Sequence, residues 1–267
     1  MTKEKSKQNQ LIKYIRQKTI AIKKMITLIG TGHVFNLGKA LIDIFDEKDP
    51  DIICVELDKQ RYQALTLKRQ DPESYKKMEK NVPIIYKVLS RFQEGMAKEY
   101  GVTAGQEMLI SIDYAKERQI SAAFIDMNAQ RMFRRMLKSM SFSEKFKLMF
   151  SGFGGLFVSK KKVDSELKKI ENNFDRYIVE IGKKFPTIKR ILIDERNNFM
   201  VQHLSAANEK YKNIIAVLGD GHIPGISKLL GDKNIEYETI RLSQLRGQKE
   251  IQKDSSTASF TIKYEEI

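Results

Sequence analysis

The feature that most constrains the fold is the alternation of short, β-branched apolar runs with longer segments whose apolar residues recur at helical spacing. This alternation predicts βα units, because two parallel strands of one sheet are normally joined by a crossover helix. The predicted strands are nearly continuous in apolar residues, which is typical of strands covered on both faces. They are Met25–Ile29, Ile52–Glu56, Ala122–Ile125, Ile214–Leu218 and Tyr237–Ile240, with a short strand near Thr19–Ile22 before them.

We therefore predict an α/β fold with a mainly parallel central sheet flanked by helices, formed by residues 25–245 of the 267. The segment 128–210 contains no convincing strand and predicts a helical insertion between the third and fourth core strands, interrupted by an apolar glycine loop at Ser151–Phe157. Residues 1–24 form a predicted basic N-terminal arm, and residues 246–267 a polar C-terminal tail. Helices are predicted near 37–47, 59–70, 82–99, 105–118, 128–149, 163–184, 187–209 and 224–230.

The charge is strongly positive and uneven. The net charge is +14, and residues 1–24 carry half of it, with eight basic residues against Glu4. A second basic stretch runs from Arg131 to Lys162. Such patches attract phosphate in nucleic acid or on anionic lipid, although solvated charge is the simpler reading. We expect peripheral contact with an anionic membrane. Nucleic acid is the weaker partner, because no stacking aromatic residues punctuate the basic runs.

The chain has one cysteine, Cys54, inside the apolar run Ile52–Val55. It allows no disulfide within the chain, which fits a reducing compartment, and a thiol buried among β-branched residues is expected to be inert. The N-terminus lacks the uninterrupted apolar core of a signal peptide, and no apolar run is long enough to span a bilayer. We therefore expect a cytoplasmic protein.

Two of the three histidines lie in matching settings. Gly30–His33 follows the first core strand and Gly219–His222 follows the fourth, each with the pattern Gly-x-Gly-His. Open α/β sheets collect ligands at the carboxyl ends of their strands, and glycine permits the tight turns that bring an imidazole there. A structural role for the glycine turns alone remains open. The third histidine, His203, has no such loop and is interpreted as a packing residue.

Acidic side chains also follow strands. Glu56 ends the second strand and Asp126 follows the third, so His33, Glu56, Asp126 and His222 are all predicted at one edge of the sheet. A carboxylate there needs a partner, a cation or a metal. The alternative is that Asp58 caps the next helix while Glu56 merely pairs with Arg61.

A further acidic group lies on the helix opened by Pro186. Glu195 falls in the middle of an apolar stripe at helical spacing, which predicts a buried carboxylate paired with Arg196 or with a metal. Glu107 opens another helix, where an acid favours the positive end of the dipole. That structural account of Glu107 and a role in the site are equally open.

Together these residues resemble the TraB family, from about Met25 to Leu245. The matching patterns are Gly30–His33, Pro50–Asp51 followed by Glu56–Leu57 and Arg61, Gly105–Glu107, Phe185–Pro186 with Asp194–Asn197, and Gly219–Ile226. Two departures stand out. Asp126–Met127–Asn128 replaces an Asp-Arg-Asp pattern, and a polar tail follows where many relatives carry membrane-spanning helices.

The resemblance implies an erythromycin-esterase-like α/β fold. Founding TraB proteins shut down peptide pheromones, and the related TIKI proteins are metal-dependent peptidases. Carried over, His33, His222 and Glu56 become the catalytic residues and ligands of a divalent metal such as manganese, cobalt, zinc or iron, with Glu56 as ligand or general base. The remaining polar residues, Arg61, Glu107, Asp126, Glu195, Arg196 and Asp220, would orient the ligands or bind substrate.

The leading functional expectation is therefore a divalent-metal-dependent hydrolase acting on a peptide. The alternative is a protein that binds and sequesters a peptide signal without cleaving it. A homodimer is a further expectation for its assembly.

Overall fold

Five short strands pair into one sheet in a computed structural model that describes residues 24–32, 37–79, 105–147, 180 and 182–245. All pairings are parallel. The strands are β1 (Met25–Thr31), β2 (Ile52–Val55), β3 (Ser121–Phe124), β4 (Asn213–Gly219) and β5 (Tyr237–Ile240). The predicted parallel sheet flanked by helices is confirmed, and each predicted core strand is found within two residues of its expected bounds.

The described helices follow the predicted periodicity closely. Asp58 caps the helix that begins at Lys59, since its carboxylate accepts the backbone N–H groups of Gln60 and Arg61 at 2.8 and 3.1 Å. The helices are α1 (Gly38–Lys48), α2 (Lys59–Gln70), α3 (Pro72–Glu79), α4 (Gln106–Glu117), α5 (Ala129–Ser139), α6 (Pro186–Lys189), α7 (Glu195–Lys210) and α8 (Ile223–Gly231). A π-helical turn, Arg190–Asp194, joins α6 to α7.

The strand order is β3-β2-β4-β1-β5, so β4 is inserted between the first two strands of the chain. The chain leaves β1 through α1 towards β2, and leaves β4 through α8 towards β5 on the other side. Because these two helices cover opposite faces, the carboxyl ends of β1 and β4 flank a topological switch point. Parallel α/β sheets form their ligand crevice at such a point.

Each face of the sheet has its own apolar core. Side chains of α7 and α8 pack on one face against Ile26, Cys54 and Ala216, while α1 and α4 pack on the other against Ile29, Val55 and Ile215. Successive strand residues therefore point to different cores, which is why the strands are apolar throughout. Cys54 is fully buried, and desolvation raises the pKa of its thiol to about 12, which keeps it protonated and unreactive.

The single helix predicted over 128–149 is wrong. α5 ends at Ser139, Met140 is extended, and a second helix begins at Phe142 and continues to Lys147, where the described segment ends. The break arises at a capping box, because Ser141 Oγ accepts the backbone N–H of Glu144 at 3.1 Å while the Glu144 carboxylate accepts that of Ser141 at 2.9 Å. α5 buries Met132, Met136 and Met140 against Ile191 in a separate small cluster.

Several predicted features lie outside the described residues: the short strand near Thr19–Ile22, the basic arm, the helix near 82–99, the Ser151–Phe157 loop and the polar tail. Most of the helix predicted over 163–184 does so as well. Between β3 and β4 the described segments form helices and no strand. Among the helices that the structure describes, none is long and apolar enough to cross a membrane.

Candidate functional site

The carboxyl edge of the sheet brings the ends of β1, β2 and β4 together. Thr31 pairs with Gly219 across β1 and β4, so the first residues of the two Gly-x-Gly-His patterns lie on neighbouring strands at this edge. Glu56 follows β2 and donates its backbone N–H to Val217 of β4 at 3.0 Å. Glu56, Asp126 and His222, three of the four strand-end residues predicted from sequence, therefore share one edge because the register of the parallel strands places them there.

A buried ion triad occupies this edge. The guanidinium of Arg196, on the first turn of α7, donates two hydrogen bonds of 2.9 Å to Asp126, from Nε to Oδ1 and from Nη2 to Oδ2. The same Nη2 also contacts Glu56 Oε1. The other oxygen of Glu56 accepts the Gly219 N–H at 2.6 Å. Such charge-assisted, forked hydrogen bonds fix both carboxylates with respect to α7.

The charges of the triad do not cancel. The side chain of Arg196 is 12% exposed, and those of Glu56 and Asp126 are 4% and 2% exposed. Burial opposes the charge of Arg196, but attraction to Glu56 and then Asp126 outweighs it and holds the pKa of Arg196 above its ordinary value. One cation therefore faces two carboxylates. The half-exposed Arg61 approaches Asp126 Oδ2 at 3.5 Å, a long contact for an ion pair.

His222 lies beside this triad with a fixed ring orientation. Its Nδ1 is 2.6 Å from Oδ1 of Asn197, an acceptor, so Nδ1 carries the proton. In the neutral ring this leaves the lone pair on Nε2, which is 3.5 Å from Glu56 Oε1. Asn197 can come this close because residue 225 is glycine: a Cβ there would lie 2.2 Å from Asn197 Nδ2.

The position of Asn197 was not predicted, and the π-helical turn explains why. A turn of five residues inserts one extra residue into the helix and rotates everything after it. Arg196 and Asn197 consequently face the sheet edge, and Glu195 turns away from it. The prediction that Glu195 is a buried carboxylate paired with Arg196 or with a metal is wrong in its partner, since the side chain, 27% exposed, pairs with Arg190 and Arg135. The sequence signal for Asn197 was its place in the Asp194–Asn197 pattern.

The other predicted residues are placed as follows. Asp220 forms a forked ion pair with Arg241, at 2.9 Å to Nε and 2.7 Å to Nη2, and accepts the Leu242 N–H, which ties the β4 turn to the end of β5.

Glu107 is buried in the first turn of α4. His203 is exposed: its ring lies tilted against that of Phe199, and its Nδ1 is 2.9 Å from the Phe199 carbonyl oxygen, so the predicted packing is limited to this surface contact. Asp58 caps its helix, but Glu56 pairs with Arg196 rather than with Arg61.

His33 lies outside the described residues, so its place in the site stays a prediction. Within the described segments, no group of three or more His, Cys, Asp or Glu side chains is arranged to hold a metal ion. Two ligand atoms of this edge nevertheless have a separation that suits a metal ion. Two ligands bound to a tetrahedral zinc ion at about 2.0–2.2 Å lie roughly 3.3–3.6 Å apart, a range that includes the separation of His222 Nε2 and Glu56 Oε1, 3.5 Å.

An open cleft of about 510 Å³ adjoins the triad on the β3 side. Phe124 and Asp126 lie on its inner wall, and Asp58, Lys59, Gln60, Gln63 and Asn128 complete the lining. Asn128 Nδ2 donates to Gln60 Oε1 at 2.9 Å across it. Carboxamide groups both donate and accept hydrogen bonds, which suits a ligand with peptide groups.

The chain is similar to one protein family and to several curated proteins. The model of the TraB/PrgY/gumN family matches residues 19–238. An uncharacterized protein of Methanocaldococcus jannaschii is 28% identical over 210 residues, which cover 77% of this chain and 53% of that protein. TraB domain-containing proteins of mouse and human are each 23% identical over 235 residues, covering 76% of this chain and 62% of their own length. The chain thus spans between half and two thirds of the length of these curated relatives.

Proposed function

The chain belongs to the TraB/PrgY/gumN family, and from that membership together with the geometry of its polar cluster we propose that it is a divalent-metal-dependent hydrolase acting on peptides. The observation that carries the proposal is the pair of His222 Nε2 and Glu56 Oε1, 3.5 Å apart, with Nδ1 of the histidine held by Asn197. A hydrogen-bonded Nδ1 is the usual arrangement of a histidine whose Nε2 binds a metal.

The negative charge at this edge supports the same proposal. Glu56 and Asp126 are both buried and share Arg196, and Arg61 reaches Asp126 at 3.5 Å. Buried carboxylates attract a cation, with His222 and Glu56 as ligands and His33 as the predicted third ligand. A divalent metal there would act as a Lewis acid that polarises the scissile carbonyl group.

Other residues of the site would act as ligand, orient the histidine ring or bind the substrate. Arg196 and the Gly219 N–H hold the two oxygens of Glu56 in a fixed orientation, with Oε1 3.5 Å from His222 Nε2, so of the two roles predicted for Glu56 we propose the ligand role. Asn197 holds the histidine ring, and the Gly219 N–H holds the second carboxylate oxygen. Gln60, Gln63 and Asn128 would bind peptide groups of the substrate in the cleft beside Asp126.

Elemental analysis of the untagged protein, purified without chelator, tests the proposal. We expect near-stoichiometric metal in the parent and loss of metal in His222→Ala, Glu56→Gln and His33→Ala. The matched control is His203→Ala, which removes an exposed histidine of α7 and should leave the metal content unchanged. The loaded parent should also cleave members of a mixed peptide library detected by mass spectrometry. A parent that stays metal-free after incubation with zinc, manganese, cobalt and iron would contradict the metal assignment.

The second candidate is a protein that binds a peptide without cleaving it. The observation that favours it is that both oxygens of Glu56 already have partners, Arg196 and the Gly219 N–H, so the network can be satisfied without a metal. Peptide binding by a metal-free parent, measured by calorimetry and without any cleavage product, would support this candidate over the hydrolase.

A further inference from the structure

The segment 129–147 combines a dense positive charge with exposed apolar side chains. It carries six basic residues against one acid, Glu144, which is buried and bonded to Ser141 and Thr187. Phe142 is 85% exposed, Phe146 is 51% exposed and Leu137 is 36% exposed. These are three of the five large apolar side chains that are exposed among the described residues.

The two helices of this segment contribute to one outer surface. α5 and the following Met140 pack Met132, Met136 and Met140 against Ile191, and the helix that begins at Phe142 directs Glu144 to Thr187. Both inner sides therefore contact the same stretch, from α6 through the π-helical turn. The residues opposite those inner positions share the outer surface at helical spacing. They are Arg131, Arg134, Leu137, Lys138, Phe142 and Phe146, and we name them the basic aromatic surface.

We propose that the basic aromatic surface binds the headgroup region of an anionic lipid bilayer. Phenylalanine and leucine side chains enter the boundary between headgroups and acyl chains, while the flanking arginines and lysines bind lipid phosphates. The charges match, since the outer surface of this segment carries cations and its single acid is buried. This proposal does not depend on the hydrolase proposal, because none of these residues touches the Glu56–Arg196–Asp126 triad.

Co-sedimentation of the full chain with vesicles tests the proposal. We expect binding to vesicles of equimolar phosphatidylcholine and phosphatidylglycerol, no binding to phosphatidylcholine alone, and weaker binding as salt rises. Arg134→Ser with Lys138→Ser should weaken binding roughly 25-fold, from about fivefold per cation. Phe142→Ser should weaken it about tenfold, because it removes a buried aromatic contact without changing charge.

The matched controls lie on elements outside the segment 129–147. Lys210→Ser with Lys233→Ser removes two exposed cations near the amino ends of the strands, and Ile42→Ser removes a 40% exposed apolar side chain of α1. Both should bind vesicles like the parent. Equal vesicle binding by Phe142→Ser and the parent would overturn the proposal. A control variant that loses as much vesicle binding as Phe142→Ser would also overturn it. Binding of single-stranded polyuridine that is lost in Phe142→Ser would assign the surface to nucleic acid instead.

Discussion

The carboxylate of Asp220 occupies the space that a side chain on Gly30 would need: a Cβ built on Gly30 would lie 2.1 Å from Asp220 Oδ1. Gly30 ends the apolar part of β1, and Asp220 follows β4. The first Gly-x-Gly-His pattern therefore contacts the second at Gly30 and Asp220, and the ion pair of Asp220 with Arg241 holds this contact in place.

Gly30→Ala should consequently destabilise the protein by about 1–3 kcal/mol, because the added methyl group has no room. Asp220→Ala in the same chain should recover part of that loss, which a double-mutant cycle of urea unfolding measures. The control is Gly231→Ala at the end of α8, where an added Cβ meets nothing within 4 Å. A cost of Gly30→Ala that is unchanged by Asp220→Ala would show that another contact causes it.

Asn197→Ala should reduce metal affinity by roughly 10- to 100-fold, because the ring of His222 loses the acceptor that fixes its tautomer and orientation. Competition with a coloured chelator measures the affinity. Asn198→Ala is the matched control: it removes the neighbouring, exposed amide, which bonds only to the backbone carbonyl of Asp194 at 2.8 Å. Equal affinities of the two variants would remove Asn197 from the site.

Arg196→Met should destabilise the fold by about 3–5 kcal/mol, since it removes the guanidinium that two buried carboxylates share. Adding Glu56→Gln to this variant should restore part of the stability, because one of the two buried negative charges disappears. Arg190→Met removes an arginine of the adjoining π-helical turn that is 52% exposed, and should cost about 0–1 kcal/mol. Guanidinium unfolding at pH 7 compares the three variants, and a cost of Arg196→Met as small as that of Arg190→Met would contradict the buried triad.

Glu144→Gln should reduce stability in a pH-dependent way. Burial alone would raise the pKa of Glu144, but hydrogen bonds from the backbone of Ser141 and Thr187 and from the Thr187 hydroxyl outweigh it and hold the pKa below its ordinary value, 4.5. A lowered folded-state pKa stabilises the protein above the unfolded-state pKa, and this contribution is lost as pH falls through the folded-state value. We expect the variant to cost about 1–3 kcal/mol near neutral pH.

Thermal unfolding from neutral to acid pH measures this dependence. The difference in unfolding temperature between Glu144→Gln and the parent should shrink as the pH falls below 4.5, the ordinary pKa of a glutamate. Glu209→Gln, an exposed acid in the last turn of α7, should show no comparable difference at any pH. A difference that stays constant down to low pH would mean that the ionised carboxylate is not what joins these helices.

The amino-acid sequence predicted the parts of this protein that depend on local pattern. Continuous β-branched runs predicted the strands and their burial on both faces, and polar residues directly after those strands predicted Glu56, Asp126 and His222 at one edge. Both predictions follow from the two-residue repeat of a strand and from the common direction of parallel strands, neither of which needs a distant contact. Even the capping box at Ser141 and Glu144 was present in the sequence as a spacing of three residues.

The tertiary structure decided which of these side chains pair. Periodicity at 3.6 residues per turn placed Glu195 against the core, but the π-helical turn rotated α7 so that Arg196 and Asn197 face the sheet edge instead. The insertion of β4 between β1 and β2 placed the first residues of the two Gly-x-Gly-His patterns on neighbouring strands, and no local pattern encodes strand order. Partners such as Arg196 for Glu56 and Asn197 for His222 are 140 and 25 residues apart in the chain, so only the folded packing selects them.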